Sequence, residues 1–182
     1  MSEDTSRLPS FRDLPWRRYL VTGPQRSGTT IAAQIIAQEL GFRFVDEQHF
    51  DFVDRQKFKQ LLSETEVVIQ CPTMMRHIHE IADHETCIVV MRRPLNEILR
   101  SQERIGWSFE AAELSRYEGS STGEGIAAVK YAFWERFQRP KVRHYIELDY
   151  HLLQQHRWWV KGELRQGFGP KQTRAIKKVT LL

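Results

Sequence analysis

Arg18-Tyr19-Leu20-Val21-Thr22-Gly23-Pro24-Gln25-Arg26-Ser27-Gly28-Thr29-Thr30 is the stretch whose reading decides the fold. Its first five residues, RYLVT, form a short apolar run of strand type. Gly23 and Gly28 enclose four residues, and an apolar-periodic segment follows, with Ile31, Ala32, Ile35 and Ile36 on one face and Gly41 as the stop. A strand, a glycine-bounded loop and a helix in that order turn backbone N–H groups inward as a nest. The first turn of the helix adds partial positive charge. Such a loop binds phosphate.

The glycine spacing is that of Walker A, so the context predicts a P-loop fold. The chain departs from the motif at one position. Thr29 stands where the motif has lysine, and the cation has moved to Arg26, whose guanidinium can grip a phosphate in a fork.

Outward from the loop, short apolar runs alternate with helical stretches. Strands are expected at Arg18–Thr22, Phe42–Asp46, Glu66–Cys71, Thr86–Met91 and Val142–Leu148. Helices are expected at Thr29–Leu40, Arg55–Ser63, from Pro72, at Pro94–Ile105 and at Gly125–Gln138. This is the pattern of an α/β fold: a doubly wound, mostly parallel five-stranded sheet of the P-loop type with helices on both faces. Residues 1–17 read as a polar N-terminal segment and 18–182 as a single domain. Ligands of such sheets lie beyond the carboxyl ends of the strands, which puts Gly23–Thr30, Glu47, Cys71 and Arg92/Arg93 on one rim. Strands three and four end in Gln70-Cys71 and Met91-Arg92, which leaves Asp46 as the candidate acid for magnesium.

Composition bounds the class. The 182 residues are 41% apolar and 27% charged, as in an ordinary globular protein. A net charge of +4 suits an anionic ligand better than a nucleic-acid scaffold, so no nucleic acid is expected as partner. Lys161, Arg165, Lys171, Arg174, Lys177 and Lys178 crowd the C-terminal segment, which reads as a solvated basic tail. No apolar run is long enough to span a membrane, and Met1–Arg18 has no apolar signal core. With Cys71 and Cys87 in apolar runs, the expectation is a reduced, cytoplasmic protein.

The loop Arg26-Ser27-Gly28-Thr29-Thr30 resembles the R-S-G-T-T or K-S-G-T-T loop of sulfotransferases that use 3′-phosphoadenosine 5′-phosphosulfate (PAPS). The resemblance implies that Gly23, Arg26, Ser27, Gly28, Thr29 and Thr30 hold the 5′-phosphosulfate. In that family an arginine after a later strand, and a serine about two helical turns on, grip the 3′-phosphate. Here Met91-Arg92-Arg93-Pro94 leads to Ser101, and either Arg92 or Arg93 fits the pattern. Glu47-Gln48-His49-Phe50 is similar to the E-x-H-F segment of carbohydrate sulfotransferases, which implies Glu47 as the catalytic base with His49 in reserve. Leu164-Arg165-Gln166-Gly167 resembles the basic loop that closes on the 3′-phosphate. On this resemblance the cofactor is PAPS, no metal is required, and the acceptor is a small molecule or carbohydrate with a hydroxyl or amine. Two alternatives stay open: a P-loop kinase or nucleotidase with an unusual loop, and a non-catalytic nucleotide-binding module.

Other groupings point to structure. His77, His79 and His84 with Cys71 and Cys87 lack metal-ligand spacing. Trp107, Trp158 and Trp159 suit packing, Gly119–Gly125 has the composition of a connector, and Cys71 has no activating neighbour in sequence.

Overall fold

The computed structural model describes residues 8–47, 55–106 and 125–159. Five parallel strands form one sheet: β1 (Arg18–Thr22), β2 (Arg43–Val45), β3 (Val67–Gln70), β4 (Thr86–Arg92) and β5 (Tyr145–Asp149). Their spatial order is β2-β3-β1-β4-β5, so β1 lies at the centre between β3 and β4. Leu20 pairs with Ile69 on one side and Ile88 on the other. Every expected strand is present. The differences lie at the ends, where the sheet's hydrogen bonds rather than the apolar runs set the limits: β2 is shortened to three residues, and β5 is shifted toward Asp149.

The helices are α1 (Thr29–Leu40), α2 (Arg55–Ser63), α3 (Ile78–Ile81), α4 (Leu95–Glu103), α5 (Ile126–Phe133) and α6 (Tyr150–Leu153). A 3-10 stretch over Pro72–His77 precedes α3 where a plain helix was expected from Pro72. Beyond α5 the chain continues through a π-helical turn, Trp134–Gln138, so the expected Gly125–Gln138 helix is a composite. The first helix stops at Gly41, where the Gly41 and Phe42 amides both return to the Ala37 carbonyl.

Side chains of the central strands alternate between two apolar layers, as the period of two requires. Tyr19, Val21, Cys87, Val89 and Met91 face α1, with Phe11 and Leu153 completing that layer. Leu20, Ile69, Ile88 and Val90 face the other way, against Phe58, Met75, Ile78 and Trp134. Because helices cover both faces, β1, β3 and β4 read as continuous apolar runs rather than alternating ones. Phe11 is fully buried and meets Tyr19 edge-on at 6.0 Å, so the chain before β1 packs onto the sheet.

Arg18 opens β1 and is buried at the end of the sheet opposite the loop. Its guanidinium donates to Asp83 Oδ2 (2.7 Å), Thr86 Oγ1 (3.0 Å) and the Glu64 carbonyl (2.9 Å), which offsets the cost of burying the charge. Among the described residues no helix is long and apolar enough to cross a membrane.

Candidate functional site

Sheet topology gathers the candidate residues at the carboxyl ends of the strands. Gly23–Gly28 leaves β1 and feeds α1 directly, with Gly28 as the left-handed N-cap of the helix (φ +102). A side chain there would be strained. A Cβ on Gly28 would also lie 2.7 Å from the Tyr150 ring, so the glycine is demanded twice. Arg26 is left-handed too (φ +72), a conformation that bends the loop around its own amides. Ser27 is fully buried inside the loop, and its Oγ has no hydrogen-bond partner among the described residues. A buried donor of that kind fits an anion in the nest.

The loop is tied to the neighbouring strand ends. Thr29 Oγ1 accepts from Gln70 Nε2 (3.2 Å) at the end of β3. The same amide's oxygen accepts from the Glu47 N–H (3.2 Å), just beyond β2. Gln70 thus bridges loop and acid. Both ends of its amide are engaged. Among the described residues no group of three or more His, Cys, Asp or Glu side chains could hold a metal ion.

Glu47 is half-buried on the rim. Its Oε2 accepts from Thr73 Oγ1 (3.0 Å) and Thr73 N–H (3.4 Å). Burial raises its pKa above the ordinary carboxylate range, and Asp46 adds to the effect. The Thr73 hydrogen bonds and the positive charge of Lys130 oppose it. A carboxylate shifted in this sense is a better proton acceptor near neutral pH. His49 lies outside the described residues, as do Trp107, residues 119–124 of the connector and Leu164–Gly167.

The two arginines that end β4 part company. Arg93 turns toward the loop: Nη1 donates to the Arg26 carbonyl (2.9 Å), Nε to Glu97 Oε2 (3.0 Å), and the guanidinium stacks 4.0 Å from the Tyr150 ring centroid. Arg92 turns the other way, where Glu147 on β5 and Glu135 in the π-helical turn take its charge. Tyr131 of α5 stands between them. Its hydroxyl accepts the Arg93 N–H and donates to the Met91 carbonyl, each at 3.0 Å, and burial pushes it up to about 12. Ser101, buried on α4, accepts from Arg26 Nε (3.1 Å). Arg26 and Ser101 therefore meet one another directly, with Arg93 held at the Arg26 backbone. The Arg26 pKa is lowered by burial first, then by the charges of Arg104 and Arg93.

Cys71 is fully buried beyond β3, and burial, with Glu47 nearby, pushes its thiol well up; it is part of the packing. A separate cavity of about 490 Å³, lined in part by Arg12, Trp16, Arg17, Glu39 and Phe42, lies at the far end of α1. A twelve-residue helix, roughly 18 Å long, separates it from the loop.

Set beside solved structures, the chain shares its fold with the shikimate kinase of Acinetobacter baumannii in complex with shikimate. The TM-score is 0.51 at 15% identity, over 80% of this chain and 90% of that one. A sugar kinase from Janibacter sp. HTCC2649 is more distant, with a TM-score of 0.41 at 18% identity, over 78% and 88% of the two chains. The likeness is one of fold, an α/β domain built on a five-stranded parallel sheet. No protein-family model matches it, and no curated protein matches its sequence. The sulfotransferase resemblance consequently rests on the loop and strand-end residues alone.

One site residue escaped the sequence reading. Lys130 lies in α5, within the otherwise apolar run Ile126-Ala127-Ala128-Val129-Lys130, and is fully buried. Its Nζ donates to Gln25 Oε1 of the loop. The available signal was a lone lysine on a helix whose neighbours are all core residues.

Proposed function

We propose that this protein is a P-loop transferase of the kinase type, which binds a nucleoside triphosphate on Gly23–Thr30 and phosphorylates a hydroxyl of a small molecule. The observation that carries the reading is the Thr29–Gln70–Glu47 bridge. It ties an anion-binding loop, across one hydrogen-bonded amide, to the backbone of Glu47, whose carboxylate has a raised pKa. The loop amides, the α1 N-terminus and Ser27 would hold the donor phosphates and stabilise charge on the leaving group. Glu47 would take the acceptor proton as its oxygen bonds to the γ-phosphorus. The bond from that phosphorus to the β–γ bridging oxygen breaks, and the nucleoside diphosphate leaves with the electron pair. Kinship of fold with an enzyme solved with shikimate supports a small hydroxylated acceptor.

A second reading is kept by one observation. Arg26 contacts Ser101, Arg93 is held at the Arg26 carbonyl, and the charges of Arg104 and Arg93 are felt by Arg26, so this corner favours a second phosphate, as PAPS carries at its 3′ position. In the described conformation these groups bind one another, so a 3′-phosphate would have to displace the Arg26–Ser101 contact. Calorimetry with ATP, AMP and 3′-phosphoadenosine 5′-phosphate, each with and without magnesium, separates the two. ATP binding at least about tenfold tighter than both others, a difference near 1.4 kcal/mol, supports the kinase. Preference for the bisphosphate supports the sulfotransferase. Binding of none removes both.

A further inference from the structure

We propose that the cavity at the far end of α1 is a second ligand site, which takes a planar aromatic acid. The chain builds it from two held walls. One is the segment before β1, pinned to the sheet by the fully buried Phe11. The other is the end of α1, where left-handed Gly41 (φ +71) stops the helix and the chain turns into Phe42. A Cβ on Gly41 would meet nothing within 4 Å, so this turn leaves open space. The cavity measures about 490 Å³, within the range of small-molecule sites, about 300–1,000 Å³.

Its lining joins apolar and aromatic surface to a few polar groups, the composition of a binding site. Trp16 and Phe42, both half-buried, supply the aromatic part. Trp16 is braced by the His144 ring (5.5 Å between centroids) and Phe42 by Tyr19 (6.5 Å), so both rings are in place before a ligand arrives. The charges sort by partner. The buried Glu39 carboxylate engages His156 Nε2 (3.0 Å), and Arg17 is paired with Glu66. Arg12 has no carboxylate partner among the described residues. Its Nε donates to the Glu39 carbonyl (2.9 Å), which holds the guanidinium at the cavity and leaves its two Nη groups. Two parallel N–H donors of that kind grip a carboxylate side by side. Arg12 is exposed, so its charge alone would contribute little to affinity. An anion with a flat apolar body answers both the guanidinium and the rings, which is the reason for an aromatic acid. The site stands independently of the phosphate loop, from which the length of α1 separates it.

The test is calorimetry on the full chain with indole-3-acetate, its uncharged amide indole-3-acetamide, and acetate as probes. The acid should bind at least about fivefold tighter than the amide, the scale of one ion pair at an exposed site, and acetate should give no saturable heat. Arg12→Gln should abolish the preference for acid over amide. Trp16→Leu should weaken both indole probes by at least about threefold, through the lost aromatic contact. Melts of both variants check that they fold, and an excess of ATP should leave the affinity for the acid unchanged. No saturable binding of the acid up to about 10 mM overturns the proposal, as does equal affinity for acid and amide, or wild-type affinity for the acid in either variant. Loss of acid binding in excess ATP places the acid at the phosphate loop and also overturns it.

Discussion

Gly28→Ala tests the geometry of the loop independently of any ligand. Two costs add. Alanine at φ +102 carries the steric penalty of left-handed backbone, about 1–2 kcal/mol. Its Cβ would also stand 2.7 and 2.9 Å from Tyr150 Cδ2 and Cε2. That ring cannot swing freely, because it stacks on the Arg93 guanidinium at 4.0 Å and meets Trp159 edge-on at 5.5 Å. Overpacking against a held side chain costs about 1–3 kcal/mol. The sum is roughly 3 kcal/mol, or about 10 °C in melting temperature for a chain of this size. Urea denaturation of Gly28→Ala, Tyr150→Ala and the double variant resolves the parts. Without the ring, Gly28→Ala should cost only the backbone component, so the double variant should fall short of additivity by about 1–3 kcal/mol. A strictly additive cycle would show that Tyr150 does not pack on Gly28 in solution. A single-variant cost below about 1 kcal/mol would show that the loop is not left-handed there.

Three further outcomes follow from named contacts. Arg26→Gly should bind nucleotide at least about tenfold more weakly while staying within about 1 kcal/mol of wild-type stability, because glycine relieves the left-handed backbone as the side chain is lost; titration alongside a melt reads both. Glu47→Gln should reduce turnover by about 100-fold with nucleotide affinity nearly intact. The raised Glu47 pKa also means that the folded protein holds this proton more tightly than the unfolded chain. Wild type should therefore lose stability relative to Glu47→Gln as pH rises from the ordinary carboxylate range, and melts from acid to neutral pH that run parallel would refute the raised pKa. Asp83 shows the opposite sign. Partial burial resists, but the Thr86 and Arg18 hydrogen bonds and the Arg18 charge hold it below the ordinary range. Its contribution is present at neutral pH and disappears as pH falls through its folded value. Asp83→Asn should cost about 1 kcal/mol at pH 7, discounted because the carboxylate is nearly half exposed, and nothing in strong acid; equal costs at both would sink the ion pair.

The sequence by itself determined the layers and the rim. Apolar runs of strand length, punctuated by helical periodicity, fix an α/β sheet because β1, β3 and β4 are buried on both faces and need no alternation. Glycines at 23 and 28 fix the loop because only glycine takes the Gly28 backbone beside Tyr150 without cost. Glu47 was legible as a rim residue because a strand end is a local property of the chain. What only the tertiary structure decided is which side chains meet. Arg92 and Arg93 are equivalent in sequence, yet the sheet hands one to Glu135 and Glu147 and the other to the loop, since neighbours along an extended chain point to opposite faces. Gln70 gained its bridging position from the β1–β3 register, which no pattern within either strand encodes. Lys130 is the clearest case. Nothing near it in sequence points to the loop, and only the fold brings its charge to Gln25, because electrostatic reach is set by distance in space and not by separation along the chain.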